Sequence, residues 1–141
     1  MSKPLNVFII DDDEDDRALF CEVVSDISGS IRCLSALNGQ EALNSLQNRP
    51  ILPDFIFLDL NMPRMNGKQC LAELKKIERL SSIPVIIYST SKSEEDREKT
   101  KELGSVYFLT KPSSMDQLKK ELEFVFAKKY ENCVSKNATV S

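Results

Sequence analysis

Several short stretches of this chain are apolar at nearly every position: Leu5 to Ile10, Asp54 to Leu58 behind its one acid, Val85 to Tyr88 and Val106 to Leu109. A strand with one face in water alternates apolar and polar residues, whereas a strand covered on both faces has no reason to alternate. These runs therefore predict strands buried from both sides. That demands a parallel sheet with helices packed above and below it.

Amphipathic stretches fill the gaps. Glu14 to Ser28 carries Phe20, Val24 and Ile27 at helical spacing, with Asp15 and Asp16 at the end of a helix that favours negative charge. Ile31 to Leu37 is a further strand, and Gly39 to Asn48 is a short helix on Ala42, Leu43 and Leu46. Leu71, Leu74 and Ile77 mark the next helix. Residues 94 to 103 are helical by propensity, with Gly104 as the stop. The last helix runs from Ser114 to Tyr130 on Met115, Leu118, Leu122, Val125 and Phe126. Five strands, each followed by a helix, predict an α/β fold: a doubly wound five-stranded parallel sheet in one domain over residues 1–130. Residues 131–141 form a polar tail, expected to be flexible.

Composition closes several functional classes. The 141 residues include no histidine, which removes imidazole acid–base chemistry, histidine metal ligands and a phosphohistidine carrier. A formal charge of −3 speaks against a general nucleic-acid binder, which draws its affinity from cationic patches. The segment before Asp11 is too short and too soon acidic for a signal peptide, and no run approaches a membrane span. Cys21, Cys33, Cys70 and Cys133 share no C-x-x-C unit, and three of them lie among apolar residues. They are expected to be reduced thiols, mostly core fillers, in a cytoplasmic protein.

In such a sheet, functional groups gather beyond the C-terminal ends of the strands. The strand exits carry Asp11, Asp12 and Asp13, then Asp59, then Ser89 and Thr90, then Lys111. Clustered carboxylates repel one another unless a cation neutralises them. With oxygen ligands alone, the natural cation is Mg²⁺, with Mn²⁺ as a substitute. A carboxylate can also attack a phosphoryl donor, with cation and ammonium neutralising the transferred oxygens.

The sequence Ile10-Asp11-Asp12-Asp13, then Asp59-Leu60-Asn61-Met62-Pro63 with Gly67, then Pro84 to Ser89, then Leu109-Thr110-Lys111-Pro112 resembles the receiver domain of two-component response regulators. The resemblance covers roughly residues 4 to 130 and implies the flavodoxin-like strand order 2-1-3-4-5. It implies that Asp59 is the phosphoacceptor, taking a phosphoryl group from a sensor histidine kinase or a histidine phosphotransfer protein. Asp12, Asp59, the carbonyl of Asn61 and, largely through water, Asp11 would hold the metal. Lys111 and Ser89 would assist catalysis, and Pro112 would follow Lys111 through a cis bond. Ser89 and Phe108 would form the switch that reports phosphorylation. The domain would catalyse its own dephosphorylation, with Arg64, Thr90 and Ser91 in reach to tune the lifetime, and is not a conventional turnover enzyme.

Asp13, Glu14, Asp15 and Asp16 read instead as a solvated helix start, and Gly67 reads equally well as a plain turn residue. The chain resembles stand-alone receivers, which signal by docking onto a protein effector or by relay; no direct DNA or membrane contact is expected. The face of the fourth helix, fifth strand and fifth helix would carry the output and leaves room for a homodimer. Lys92 to Glu102 has no large apolar side chain, so that helix is expected to be weakly anchored. Competing readings are a receiver-like interaction module that is never phosphorylated, an Mg²⁺-dependent phosphatase with an Asp nucleophile, and a nucleotide or flavin binder. The phosphatase lacks its second acid because position 61 is Asn, and the nucleotide binder lacks a Gly-rich loop after the first strand.

Overall fold

A computed structural model describes residues 5–63 and 65–128 of the chain. Strands β1 (Asn6–Ile10), β2 (Arg32–Ala36), β3 (Phe55–Leu58), β4 (Val85–Ser89) and β5 (Tyr107–Thr110) alternate with helices α1 (Glu14–Ile27), α2 (Gly39–Gln47), α3 (Gly67–Lys76), α4 (Glu94–Glu102) and α5 (Met115–Ala127). The sheet is parallel throughout, in the order β2-β1-β3-β4-β5. Element existence, type and order match the sequence reading, and no expected end moves by more than three residues. The tail from 131 lies outside the described residues.

The near-solid strands have the predicted cause. Phe8, Ile10, Ile56, Leu58, Val85 and Ile87 face α2 and α3, where Leu43, Leu46, Leu71 and Leu74 complete one core. Their neighbours Val7, Ile9, Phe55, Phe57, Ile86 and Tyr88 face α1 and α5, against Phe20, Val23, Val24, Leu118, Leu122 and Val125. Each core is sealed by residues that alternate along the same strands.

Side-chain caps fix where the helices begin. Asp13, Asn38, Asn66, Ser93 and Ser114 each accept a hydrogen bond from a backbone N–H three residues on. At α3 the cap is reciprocal, because Gln69 also accepts from the Asn66 amide at 2.9 Å. α4 ends as expected at Gly104, whose φ of 111° suits glycine. Only Thr100 of α4 is buried, so polar contacts do most of the anchoring.

Two expectations fail. Cys21 and Cys33 are not free thiols: they form a disulfide joining α1 to β2, with Cα atoms 5.6 Å apart. The twelve-residue spacing hides the pair, because only the packing of α1 beside β2 brings the two together. Cys70 is free and buried, as expected of a core filler, and burial pushes its thiol up to about 12. Cys133 lies outside the described residues. The Lys111–Pro112 bond is not cis, and no described peptide bond is.

Candidate phosphoacceptor site

Register places the acids. Ile10 pairs with Leu58 across β1 and β3, so the next residue on each strand, Asp11 and Asp59, leaves the sheet side by side. The ladder continues one step further through the Asp59 amide, which donates to the Ile10 carbonyl at 3.0 Å. Asp11 is fully buried and Asp59 nearly so. Asp12 is exposed, yet one carboxylate oxygen each of Asp11, Asp12 and Asp59 lie within 4.8 Å of one another.

Lys111 enters from the end of β5, where its amide donates to the Ser89 carbonyl at 2.8 Å. Its Nζ lies 2.8 Å from Asp11 Oδ2, 2.8 Å from Asp16 Oδ2 and 3.8 Å from Asp59 Oδ2. Burial works against the charged ammonium. The hydrogen bonds to Asp11 and Asp16, with the charges of Asp59 and Asp11, more than reverse that and hold it above the ordinary lysine value. The Tyr88 ring centroid lies 5.2 Å from the same Nζ, within cation–π range.

Asp59 responds differently. Burial pushes it up to about 6; Lys111 opposes that shift, and the Asp11 and Asp12 carboxylates reinforce it. The Asn61 amide approaches its Oδ1 at a long 3.5 Å. One ammonium therefore meets three carboxylates, Asp11, Asp16 and Asp59, with Asp12 beside them, and the acids outnumber it. The donor set is all oxygen and fits a hard divalent cation such as Mg²⁺ or Mn²⁺.

Of the residues singled out from the sequence, Asp11, Asp12, Asp59 and Lys111 are brought together. Ser89 is buried at the same rim, its hydroxyl oxygen accepting from the Ser91 amide at 3.2 Å, while Thr90 is exposed. Phe108 stands apart from the carboxylates, half-buried on β5, with the Arg97 guanidinium 4.7 Å over its ring. Arg64 lies outside the described residues. Gly67 is more than a plain turn: its amide donates to Leu60 at 2.9 Å, and a Cβ there would collide with the Asp59 carbonyl.

Asp16 is the residue that sequence reasoning missed. The signal was present, because Phe20, Val23 and Val24 fall four, seven and eight positions after it on the buried stripe of α1. One turn above Phe20, that stripe reaches the strand ends and delivers a carboxylate to Lys111. The acidic run made it look like one more solvated charge.

Comparison with known proteins gives this arrangement its family. Residues 7–123 match the response regulator receiver domain, and the chain belongs to that family. It is 33% identical over 112 residues to the sensor histidine kinase CheAY of Helicobacter pylori, covering 79% of this chain and 14% of that protein. It is 31% identical over 126 residues to the response regulator Rcp1 of Synechocystis, covering 85% of each. The Mn²⁺-bound form of Rcp1 superposes with a TM-score of 0.76 at 29% identity, over 86% of this chain and 91% of that one. The phosphorylated cyanobacterial phytochrome response regulator RcpA gives 0.78 at 28%, over 86% and 90%. Several curated relatives are much longer, and the chain spans between a seventh and three-fifths of the first four.

The chain is thus a CheY-like receiver whose Asp11, Asp12 and Asp59 cluster is poised for Mg²⁺-dependent phosphoaspartate chemistry. Such a cluster supports the self-phosphorylation and self-dephosphorylation typical of receiver domains. No described helix is long and apolar enough to cross a membrane.

Proposed function

We propose that Asp59 accepts a phosphoryl group from a phosphohistidine on a sensor kinase or a histidine phosphotransfer protein. A carboxylate oxygen of Asp59 forms the new bond to phosphorus, and the donor nitrogen departs with the electron pair of the broken P–N bond. Similarity to CheAY, named as a sensor histidine kinase, supports this class of donor. Asp12, Asp59 and the Asn61 carbonyl would hold the cation directly, and Asp11 largely through water. The cation would supply charge neutralisation at the transferred oxygens.

The remaining roles fall to the protein's own groups. Asp11 and Asp16 hold the Lys111 ammonium 3.8 Å from Asp59 Oδ2, close enough to shift onto a phosphoryl oxygen. Ser89 can donate its hydroxyl hydrogen to another oxygen while still accepting from Ser91. Phe108 is the aromatic that would turn inward as Ser89 is engaged. The receiver unit is assigned to residues 1–130, acting in the cytoplasm by phosphorylation-dependent docking or relay.

The observation that carries this reading is the convergence of Asp11, Asp12, Asp59 and Lys111 at one rim. Intact mass after incubation with acetyl phosphate tests it, with Mg²⁺ or EDTA, on wild type and Asp59→Asn. One alkali-labile adduct that requires both Mg²⁺ and Asp59 is expected. No adduct, together with no binding of beryllofluoride, would reduce the protein to an unswitched docking module.

A further inference from the structure

The first turn of α4 touches Phe108 directly and the Ser89 turn through Ser91, although it contributes nothing to the carboxylate cluster. Asp96 accepts from the Ser91 hydroxyl at 2.6 Å and pairs with Lys68, at the start of α3, at 2.7 Å. Ser91 in turn donates its amide to the Ser89 hydroxyl at 3.2 Å. The next residue, Arg97, covers the Phe108 ring at 4.7 Å and donates to Thr110 Oγ1 at 3.2 Å. Thr110 Oγ1 closes the circuit towards the Ser91 carbonyl at 3.5 Å. Lys68 also lines a small cleft of about 140 Å³ with Leu60, Asn61, Asn66 and Asp96, beside the loop that follows Asp59.

We propose that Asp96 is a positioning residue for the phosphoryl switch: bridging Lys68 and Ser91, it holds the Ser89 turn, and with Arg97 the Phe108 ring, in the unphosphorylated arrangement. The inference rests on the phosphoacceptor reading and adds to it a latch specific to this chain. A contact made in one of two arrangements biases the equilibrium by the free energy it loses in the other. In this structure Asp96 makes two contacts of this reach, to Lys68 at the start of α3 and to Ser91 after β4. Its carboxyl is held below the ordinary value by Lys68 and then by Ser91, the same two contacts that the bridge consists of. The absence of large apolar side chains on α4 fits this role, because a helix held by polar contacts can be released by breaking a few of them.

The test uses the full chain as wild type, Asp96→Asn, Lys68→Met and the double variant, with Asp96→Glu as the conservative control. The bridge is part-exposed, so losing it is expected to move the population by roughly fivefold. Amide resonances of Ser91 and Phe108 in unphosphorylated Asp96→Asn should move along the line that joins free and beryllofluoride-loaded wild type. Phosphorylation by acetyl phosphate should quicken by a similar factor, Asp96→Glu should return both readouts towards wild type, and the double variant should add little. Resonances that stay at the wild-type positions, or that move off that line, would overturn the latch while leaving the wild-type adduct intact. Failure of wild type itself to form an adduct on Asp59 would overturn the phosphoacceptor reading and the latch with it.

Discussion

Lys111 reaches from the end of β5 to set its Nζ 2.8 Å from Oδ2 of Asp11, the fully buried carboxylate at the end of β1. A hundred residues separate them in the chain, and the pair ties the last strand to the first across the top of the sheet. Its surroundings explain why it matters. The same ammonium is the cationic neighbour of Asp59, so it stabilises a cluster of acids that burial alone would not tolerate.

Lys111→Met should therefore be costly without metal. It leaves Asp11 and Asp59 buried with no ammonium between them, and breaking one side of such a pair typically costs about 3–5 kcal/mol. Urea unfolding in EDTA is expected to show a loss of that order, and Mg²⁺ should restore more stability to the variant than it adds to wild type. An unchanged midpoint in EDTA would mean that Lys111 does not carry this load.

Asp59 gives a prediction in pH. Its folded value, raised by burial from 3.8 to about 6, lies above its unfolded one, so the folded state holds the proton more tightly. Between about pH 4 and 6 the fold binds more protons than the unfolded chain, and stability falls as pH rises through that window. Above it the cost is fully present, on the order of 3 kcal/mol by the size of the shift. Asp59→Asn, which cannot ionise, should melt above wild type at about pH 7 in EDTA, with the gap closing towards about pH 4. A gap of constant size across that range would contradict the cause given.

The legible and the hidden parts of this molecule divide on a physical line. The strands were readable because burial on both faces leaves unbroken apolar runs such as Phe55 to Leu58, and Asp11, Asp59, Ser89 and Lys111 were readable because strand exits follow directly from strand ends. Asp16 and the Cys21–Cys33 bond depend on how α1 is rotated and where it lies against β2, which local pattern carries only faintly. The grip on α4 was hidden for a related reason. Hydrophobic spacing finds helices that bury a stripe, and this one is held by Asp96 and Arg97 reaching residues on other elements.

The disulfide is open to a direct check. Alkylation of the denatured, unreduced protein should leave Cys21 and Cys33 unmodified, and label them once a reductant is added. Closing a loop of this size restricts the unfolded chain by about 3 kcal/mol in the chain-entropy account. Reduction should lower the Tm of wild type and leave Cys21→Ser unaffected. Labelling of both cysteines before reduction would show that the bond does not form in the purified protein.

Gly67 links stability to the site itself. α3 starts against the backbone that carries Asp59, with the Gly67 amide on the Leu60 carbonyl at 2.9 Å and the Asn66–Gln69 capping box fixing the helix start. A methyl group at this position would meet the Asp59 carbonyl and the Leu60 Cα, both backbone atoms that cannot swing aside. Either α3 retreats and its first hydrogen bond lengthens, or the turn after Asp59 moves and carries Asn61 with it. Gly67→Ala is thus expected to cost about 1–3 kcal/mol, the range for a forced fit in a packed interior, and also to weaken Mg²⁺ binding. A variant such as Leu74→Ala, on the buried face of α3 towards its far end, should lose stability through a cavity and keep its Mg²⁺ affinity. Equal loss of Mg²⁺ affinity in the two variants would mean that the close approach at Gly67 serves the fold alone.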